Sequence, residues 1–247
     1  MAASRMPKIG CAGWSIPSRY ATHFGPGDSL LARYATRFDV VEINSSFYRP
    51  HQRTTYARWA ATVPAHFRFS VKLPRTLSHD SGLVGVGPLL DRFLDEVGGL
   101  GRTLGALLLQ LPPSLVLDTR RAGSFFRALR RRTAVPVVCE PRHASWFSTQ
   151  ADALLQRHAI SRAAVDPARV AAAALPGGTQ EGWHYWRWHG SPRMYYSDYS
   201  DAALAQLAAQ VAQQPGQAQA PWVIFDNTAH GFAIANALRL KEIVTHA

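Results

Sequence analysis

The chain has 247 residues, 47% of them hydrophobic and 17% charged, with 18 glycines and 16 prolines, a composition that builds an ordinary globular core and excludes a disordered tail. Twenty-seven Lys and Arg against 16 Asp and Glu give a formal charge of +11; only Lys8, Lys72 and Lys241 are lysines, so 24 of the 27 cations are arginines, and this diffuse charge points only weakly to an anionic partner. No apolar run approaches the ~18 residues of a membrane span, and MAASRMPKIG carries no signal-peptide core, so we expect a cytoplasmic protein with no membrane contact.

Eight short apolar segments bounded by turn residues read as strands: 8–14, 39–47, 67–74, 105–112, 135–141, 161–167, 183–190 and 221–227. Their starts recur every ~30 residues, the length of one β–α unit. Helical patterns fill the gaps. Leu30, Leu31, Tyr34 and Phe38 follow an Asp28 cap; Tyr56, Trp59 and Val63 come next, then Leu89 to Val97, Phe125 to Leu129, Leu154 and Leu155, Leu204 to Val211, and Ala233 to Val244. The sixth gap is the weakest, with only ARVAAAAL (168–175) before PGG. Strand and helix alternating eight times predict a single-domain α/β fold over 1–247, a TIM-type (β/α)8 barrel. A doubly wound sheet fits less well, because GCAGWS (10–15) lacks the spacing of a phosphate-binding fingerprint. Cys11 and Cys139 fall on strands one and five, across the barrel from one another, which argues against a disulfide. The run Arg130 to Arg132 closes a helix, where cations complement the dipole.

Alternate side chains of a barrel strand point inward, and the C-terminal strand ends form the face where such barrels carry their sites. The expected inward pairs are Glu42 with Asn44, Ser70 with Lys72, Leu108 with Gln110, Val138 with Glu140, Ala164 with Asp166, Arg187 with His189, and Ile224 with Asp226. Glu42, Lys72, Glu140, Arg187 and His189 lie within apolar strands, where an unpaired charge costs several kcal/mol, so they pair with each other or serve a site. Asp166 and Asp226 fit either a helix cap or the site.

GWS, VEINSSFYR (41–49), FSVKLPR (69–75), LLLQLPPS (107–114), CEPRHASWF (139–147), VDP (165–167), YWRWHGSPRMYYSDYS (185–200) and IFDNTAHGFAIANAL (224–238) together resemble the domain of unknown function 72, or YecE-like, family, nearly end to end. The resemblance implies a TIM-barrel-like fold and brings no reaction with it.

The chemistry therefore rests on the residues. Glu42 and Glu140 form a carboxylate pair suited to acid/base or hydrolytic work, with Lys72, Arg187 and His189 supplying positive charge where an oxyanion or phosphate develops. Asn44, Gln110, Arg142, Arg193, Asp166, Asp226 and Asn227 are the polar candidates for binding an anionic or sugar-like substrate. Trp14, Tyr48, Trp146 and Tyr195 are the aromatic ones, while Phe47, Tyr196 and Tyr199 read as packing. Lys72 fits a Schiff base as in aldolase-type barrels, but an ion pair with Glu42 or Glu140 is the preferred reading. Convergence of Glu42, Glu140, Asp166, His189 and Asp226 leaves room for a weak divalent metal, although the histidine spacing disfavours zinc, and no other cofactor is expected. The alternative to a small-molecule enzyme is a nucleic-acid-binding protein or metal-assisted nuclease with a basic, aromatic-lined mouth.

Overall fold

The computed structural model describes residues 6–178, 183–214 and 219–246. All eight apolar segments form strands there, each trimmed to its most buried stretch. They are β1 (Lys8–Ala12), β2 (Val40–Ile43), β3 (Arg68–Lys72), β4 (Leu104–Gln110), β5 (Val137–Glu140), a sixth strand in two pieces, β6 (Ile160–Arg162) and β7 (Ala164–Asp166), then, after the short β8 (Gly177–Gly178), β9 (Tyr185–Trp188) and β10 (Trp222–Phe225). One sheet results, in the order β7-β9-β10-β1-β2-β3-β4-β5-β6-β8. Only Ala163 separates β6 from β7. The first half of the sixth strand pairs with β5 and the second half with β9, so the chain itself joins the two ends of the sheet into a nearly closed barrel. β8 adds antiparallel to β6.

Helices α1 (Leu30–Tyr34), α2 (Arg53–Thr62), α3 (Gly87–Val97), α4 (Thr119–Arg130), α5 (Thr149–Arg157), α6 (Asp201–Ala212) and α7 (Phe232–His246) cover the outside. Among the described residues of the weak sixth gap there is no α-helix but a 3-10 turn over Ala171–Ala174. Helical periodicity buries Leu90, Phe93 and Val97 of α3 and Phe125, Phe126 and Leu129 of α4 against the outward strand residues Val41, Val71, Leu107, Leu109 and Cys139. A second cluster fills the inside of the barrel: Val40, Ala106, Leu108, Val138, Tyr185, Trp222 and Ile224, with Trp183 set edge-on to Trp222 at 5.7 Å. Nonpolar packing thus plugs the barrel below its polar end, leaving one face for chemistry. Both cysteines are buried and unbridged, and burial pushes their thiols up. No helix among the described residues is long and apolar enough to cross a membrane.

Two local details differ from the sequence reading or extend it. Ser29, not Asp28, caps α1: its extended backbone lets Oγ accept from Ala32 N at 3.1 Å. Ser29→Ala should cost about 1 kcal/mol in chemical denaturation while Asp28→Ala leaves stability unchanged; the reverse ranking would return the cap to Asp28. Within the basic run, Arg130 reaches the carbonyls of Val135, His158 and Ala159, and Arg132 pairs with Asp91 at 2.6 Å, so these arginines tie α4 to its neighbours.

Candidate active site

Residues aligned across parallel strands share a face, and the register sets out the inward ring. Glu42 lies beside Ala12 and Ser70, Lys72 beside Leu108, Gln110 beside Glu140, and Arg187 beside Ile224. The sixth strand departs from expectation. Val138 aligns with Ser161 and Arg187 with Val165, so its inward set is odd-numbered: Ser161, Ala163 and Val165. Ala164 joins the outer core, and Asp166 lies on that side too, where its Oδ1 accepts from the Tyr199 hydroxyl at 2.8 Å. That donor satisfies the carboxylate away from the mouth.

Arg187 is the centre of the inward ring and is fully buried. Its Nε and Nη2 fork onto Glu42 Oε2 and Oε1 at 3.0 and 2.6 Å, its Nη1 donates to Glu140, and Nη2 also reaches Asp226 Oδ2 at 3.1 Å. The Tyr185 hydroxyl adds a 2.8 Å hydrogen bond to Glu42 Oε2. One guanidinium thus binds carboxylates from three strands or strand ends. Burial pushes the Glu140 carboxyl up, but Arg142, then Arg187 and His189, overcome this and hold it well below the usual carboxylate range. Asp226 is likewise lowered, burial being outweighed by Arg187 and the His189 hydrogen bond. Neither group is set up to deliver a proton near neutrality.

His189 joins this network to the loop side. Its Nδ1 lies 3.0 Å from Asp226 Oδ2, and Arg142 Nη2 lies 3.2 Å from its Nε2. Nε2 also lies 3.5 Å from Glu140 Oε1, so the ring stands between the Asp226 and Glu140 carboxylates. Arg142 also forms an ion pair with Glu140, and its Nη1 approaches the Met194 sulfur at 4.0 Å. Gly190 then turns the chain at φ 95°; a Cβ there would sit 2.9 Å from Ser197 O and 3.0 Å from Asn227 Cβ. The returning loop is fastened by Gly190 N to Tyr199 Oη (2.8 Å) and by Asn227 Nδ2 to Ser197 O (2.9 Å) and Asn236 Oδ1 (2.7 Å). It carries Tyr195, held at φ 71° with its ring centroid 5.8 Å from that of His189. A bulky residue in the left-handed region is strained, and here the strained residue faces the ionic network.

Lys72 is the exception within the ring. Its Nζ sits 4.2 Å from the centre of the Phe47 ring, and among the described residues no carboxylate oxygen comes within 4.0 Å of it. The expected ion pair with Glu42 or Glu140 is absent because Arg187 has taken both. Burial, with Arg187 next, pulls the Lys72 ammonium from its ordinary 10.5 down to about 8, against the opposing pull of Glu140, Glu42 and Asp226.

The remaining candidates divide. Asn44 donates Nδ2 to Asp226 Oδ1 at 3.3 Å, and Trp14, edge-on to Trp59 at 5.1 Å, joins Asn44 and Glu42 in lining a cleft of about 310 Å³. Gln110 is partly buried beside Glu140. Tyr48 is 74% exposed and packs edge-on to Phe47, and the exposed Arg193 stacks its guanidinium on Tyr196 at 4.2 Å. Trp146 does not reach the mouth: it is buried in the outer core, donating Nε1 to Leu115 O at 2.9 Å and packing on Phe126. Asn227 is a loop fastener, as described. The expected convergence on a metal also fails in its geometry, because Asp166 faces away and the other carboxylates are turned onto Arg187; among the described residues no three His, Cys, Asp or Glu side chains are grouped to hold an ion. Tyr185 escaped the sequence reading, although its spacing of two from Arg187 and four from His189 placed it on the same face.

Three buried polar atoms at this end have no hydrogen-bond partner: Asn44 Oδ1, Ser70 Oγ and Arg142 Nε. Native interiors leave few such atoms, so each is a polar group with bonding capacity to spare.

Comparison with known proteins agrees with this architecture. A DUF72 family protein from Thermotoga maritima superposes with a TM-score of 0.80 at 23% identity, covering 98% of this chain and all (100%) of that one. One from Enterococcus faecalis gives 0.79 at 20%, covering 97% and 96%. These likenesses concern the fold. In sequence, the UPF0759 protein YecE of Escherichia coli is 33% identical over 104 residues, 42% of this chain and 37% of that protein, so the match spans little more than a third of that relative. The UPF0759 protein YunF of Bacillus subtilis is 20% identical over 264 residues, 96% of this chain and 94% of that one. The family profile described as "Protein of unknown function DUF72" matches residues 8–247, and with the barrel and its ionic ring in place over the same span, the chain belongs to the DUF72 family.

Proposed function

We propose that the chain is an enzyme working at the C-terminal mouth of its barrel, by acid/base chemistry on a small anionic or polyhydroxylated molecule, with Lys72 as the proton-exchanging group. The observation that carries this reading is the state of Lys72: buried, without a carboxylate partner among the described residues, and lowered to about 8 inside a frame whose other charges are mutually satisfied. A group near neutrality is what general acid/base catalysis needs. Arg142, Asn44 and Ser70, with polar atoms to spare, supply substrate contacts. Hydrolysis by the Glu42 and Glu140 pair is less favoured, because both carboxylates clamp Arg187 instead of flanking a substrate.

Thermal-shift measurements at low and high salt with gluconate and glucose 6-phosphate test this. Stabilisation by either that persists at high salt in the wild type and is lost in Arg142→Gln supports the reading; equal stabilisation of both proteins overturns it. A second reading, an extended nucleic-acid partner, is favoured by the exposed rim of Tyr48, Tyr195, Tyr196 and Arg193 and by the +11 charge. Stabilisation confined to oligonucleotides and abolished by salt would put that reading first.

A further inference from the structure

We infer that Lys72 is a catalytic nucleophile that forms an imine with a carbonyl substrate, an aldehyde or ketone bearing hydroxyl or anionic groups. The inference rests on the mouth being an enzyme site and names the substrate class. Its basis is the division of charge in the barrel. Three carboxylates, Glu42 on β2, Glu140 on β5 and Asp226 just after β10, lie on the strands around Lys72, yet all three are bound by Arg187, whose guanidinium keeps its proton at any working pH. The lysine is thereby deprived of a counterion while remaining close to a fixed positive charge. Its Nζ lies over the Phe47 ring, with His79 edge-on to that ring at 4.9 Å. An amine in such surroundings exists in part as the free base near neutrality and is a nucleophile, whereas an ion-paired lysine is not.

The step balances within itself. The Lys72 Nζ lone pair forms the C–N bond at the carbonyl carbon as the C=O π pair moves to oxygen. The resulting carbinolamine loses that oxygen as water, the C–O bond breaking as nitrogen forms C=N. Counted from the ammonium, two of its three protons leave in the water and the positive charge remains on the iminium nitrogen. Nothing is oxidised or reduced, and the iminium is an electron sink for breaking a C–H or C–C bond on the neighbouring carbon.

The amine inventory makes the test clean, because Lys8 and Lys241 are the other two lysines. Wild-type protein is incubated with cyanoborohydride and either pyruvate or glyceraldehyde, one anionic and one polyhydroxylated carbonyl compound, and the adducts are mapped by peptide mass. The expected result is labelling of Lys72 about tenfold faster than Lys8 or Lys241 near pH 7.5 with at least one probe. Labelling at Lys72 should rise with pH and level off above about 9, since the groups facing it (Glu42, Glu140, Asp226, Arg187 and His79) set its titration and only the amine itself changes charge there. Labelling spread evenly over the three lysines, or absent from Lys72, overturns the imine. Gluconate, which has no reactive carbonyl, separates the two ideas: a persistent gluconate shift without Lys72 trapping removes the imine and leaves the mouth as a site. Lys72→Arg should lose the adduct, and if it does not fold, the wild-type pH profile decides alone.

Discussion

Arg187→Met should destabilise the protein by about 3–5 kcal/mol, the range for removing one member of a buried ionic group, and lower Tm by roughly 6–20 °C for a domain of this size. Methionine fills similar volume, so the loss is electrostatic: Glu42 loses its forked cationic partner, Asp226 retains only His189, and Glu140 retains Arg142 and His189. The sign of the pH dependence follows. In the wild type Glu140 and Asp226 are lowered on folding, so their contribution is present above the unfolded carboxylate value and is lost as pH falls through the folded one. In the variant less positive charge opposes burial, so both groups shift upward from their wild-type positions and protonation relieves part of the fault. The gap between variant and wild type should therefore narrow as pH falls from neutrality toward about 4, and adding Glu42→Gln should recover part of the loss. Urea denaturation across that range is the measurement, and a loss below about 1 kcal/mol would show that the arginine does not hold the ring together.

The second large effect has the opposite sign. Lys72→Met should stabilise the protein at pH 7 while abolishing carbonyl trapping. Lowering an amine from 10.5 to about 8 costs the folded state about 3 kcal/mol when the lysine is charged. Removing the cation also forfeits its attraction to the Phe47 ring, about 1–2 kcal/mol, which leaves a net gain of about 1–2 kcal/mol. For an amine with a lowered folded value, the penalty is full below pH 8 and fades as pH rises from about 8 toward 10.5, because the unfolded chain still binds the proton that the folded one has released. Wild-type stability should rise through that window and meet the variant's above it. A variant less stable than wild type at pH 7 would mean that Lys72 is a structural cation. Stability gained with function lost is the signature of a residue kept for chemistry.

The barrel was legible because its signal is repeated: eight apolar segments at regular spacing need only agree on average, and alternation within each strand placed Glu42, Lys72, Glu140 and Arg187 on one face. Failures came where a local contact decides. Asp166 at a strand end looked inward by its polarity, but the sixth strand changes partner around Ala163, and the Tyr199 hydroxyl waits on the helix side. Trp146 beside His143 and Arg142 looked like a stacking surface, yet a single carbonyl, that of Leu115, takes its indole proton into the core. The pairing of the ring was beyond the sequence altogether, since composition shows that three cations and three anions meet without saying which cation takes the anions. Arg187 wins through its forked geometry, which a primary ammonium cannot match.

The distance along the chain between Glu42 and Arg187, 145 residues, bears on how the protein comes into being. As a ribosome delivers the chain from its N-terminus, β1 to β5 are complete long before the guanidinium they require has been made. A half-barrel closing early would hold the Glu42 and Glu140 carboxylates without the forked guanidinium that binds both in the finished ring, so part of the gain from closing is missing. The central cation of the interior thus comes from the seventh strand unit, and the ring reaches its full pairing only when that unit has joined the sheet.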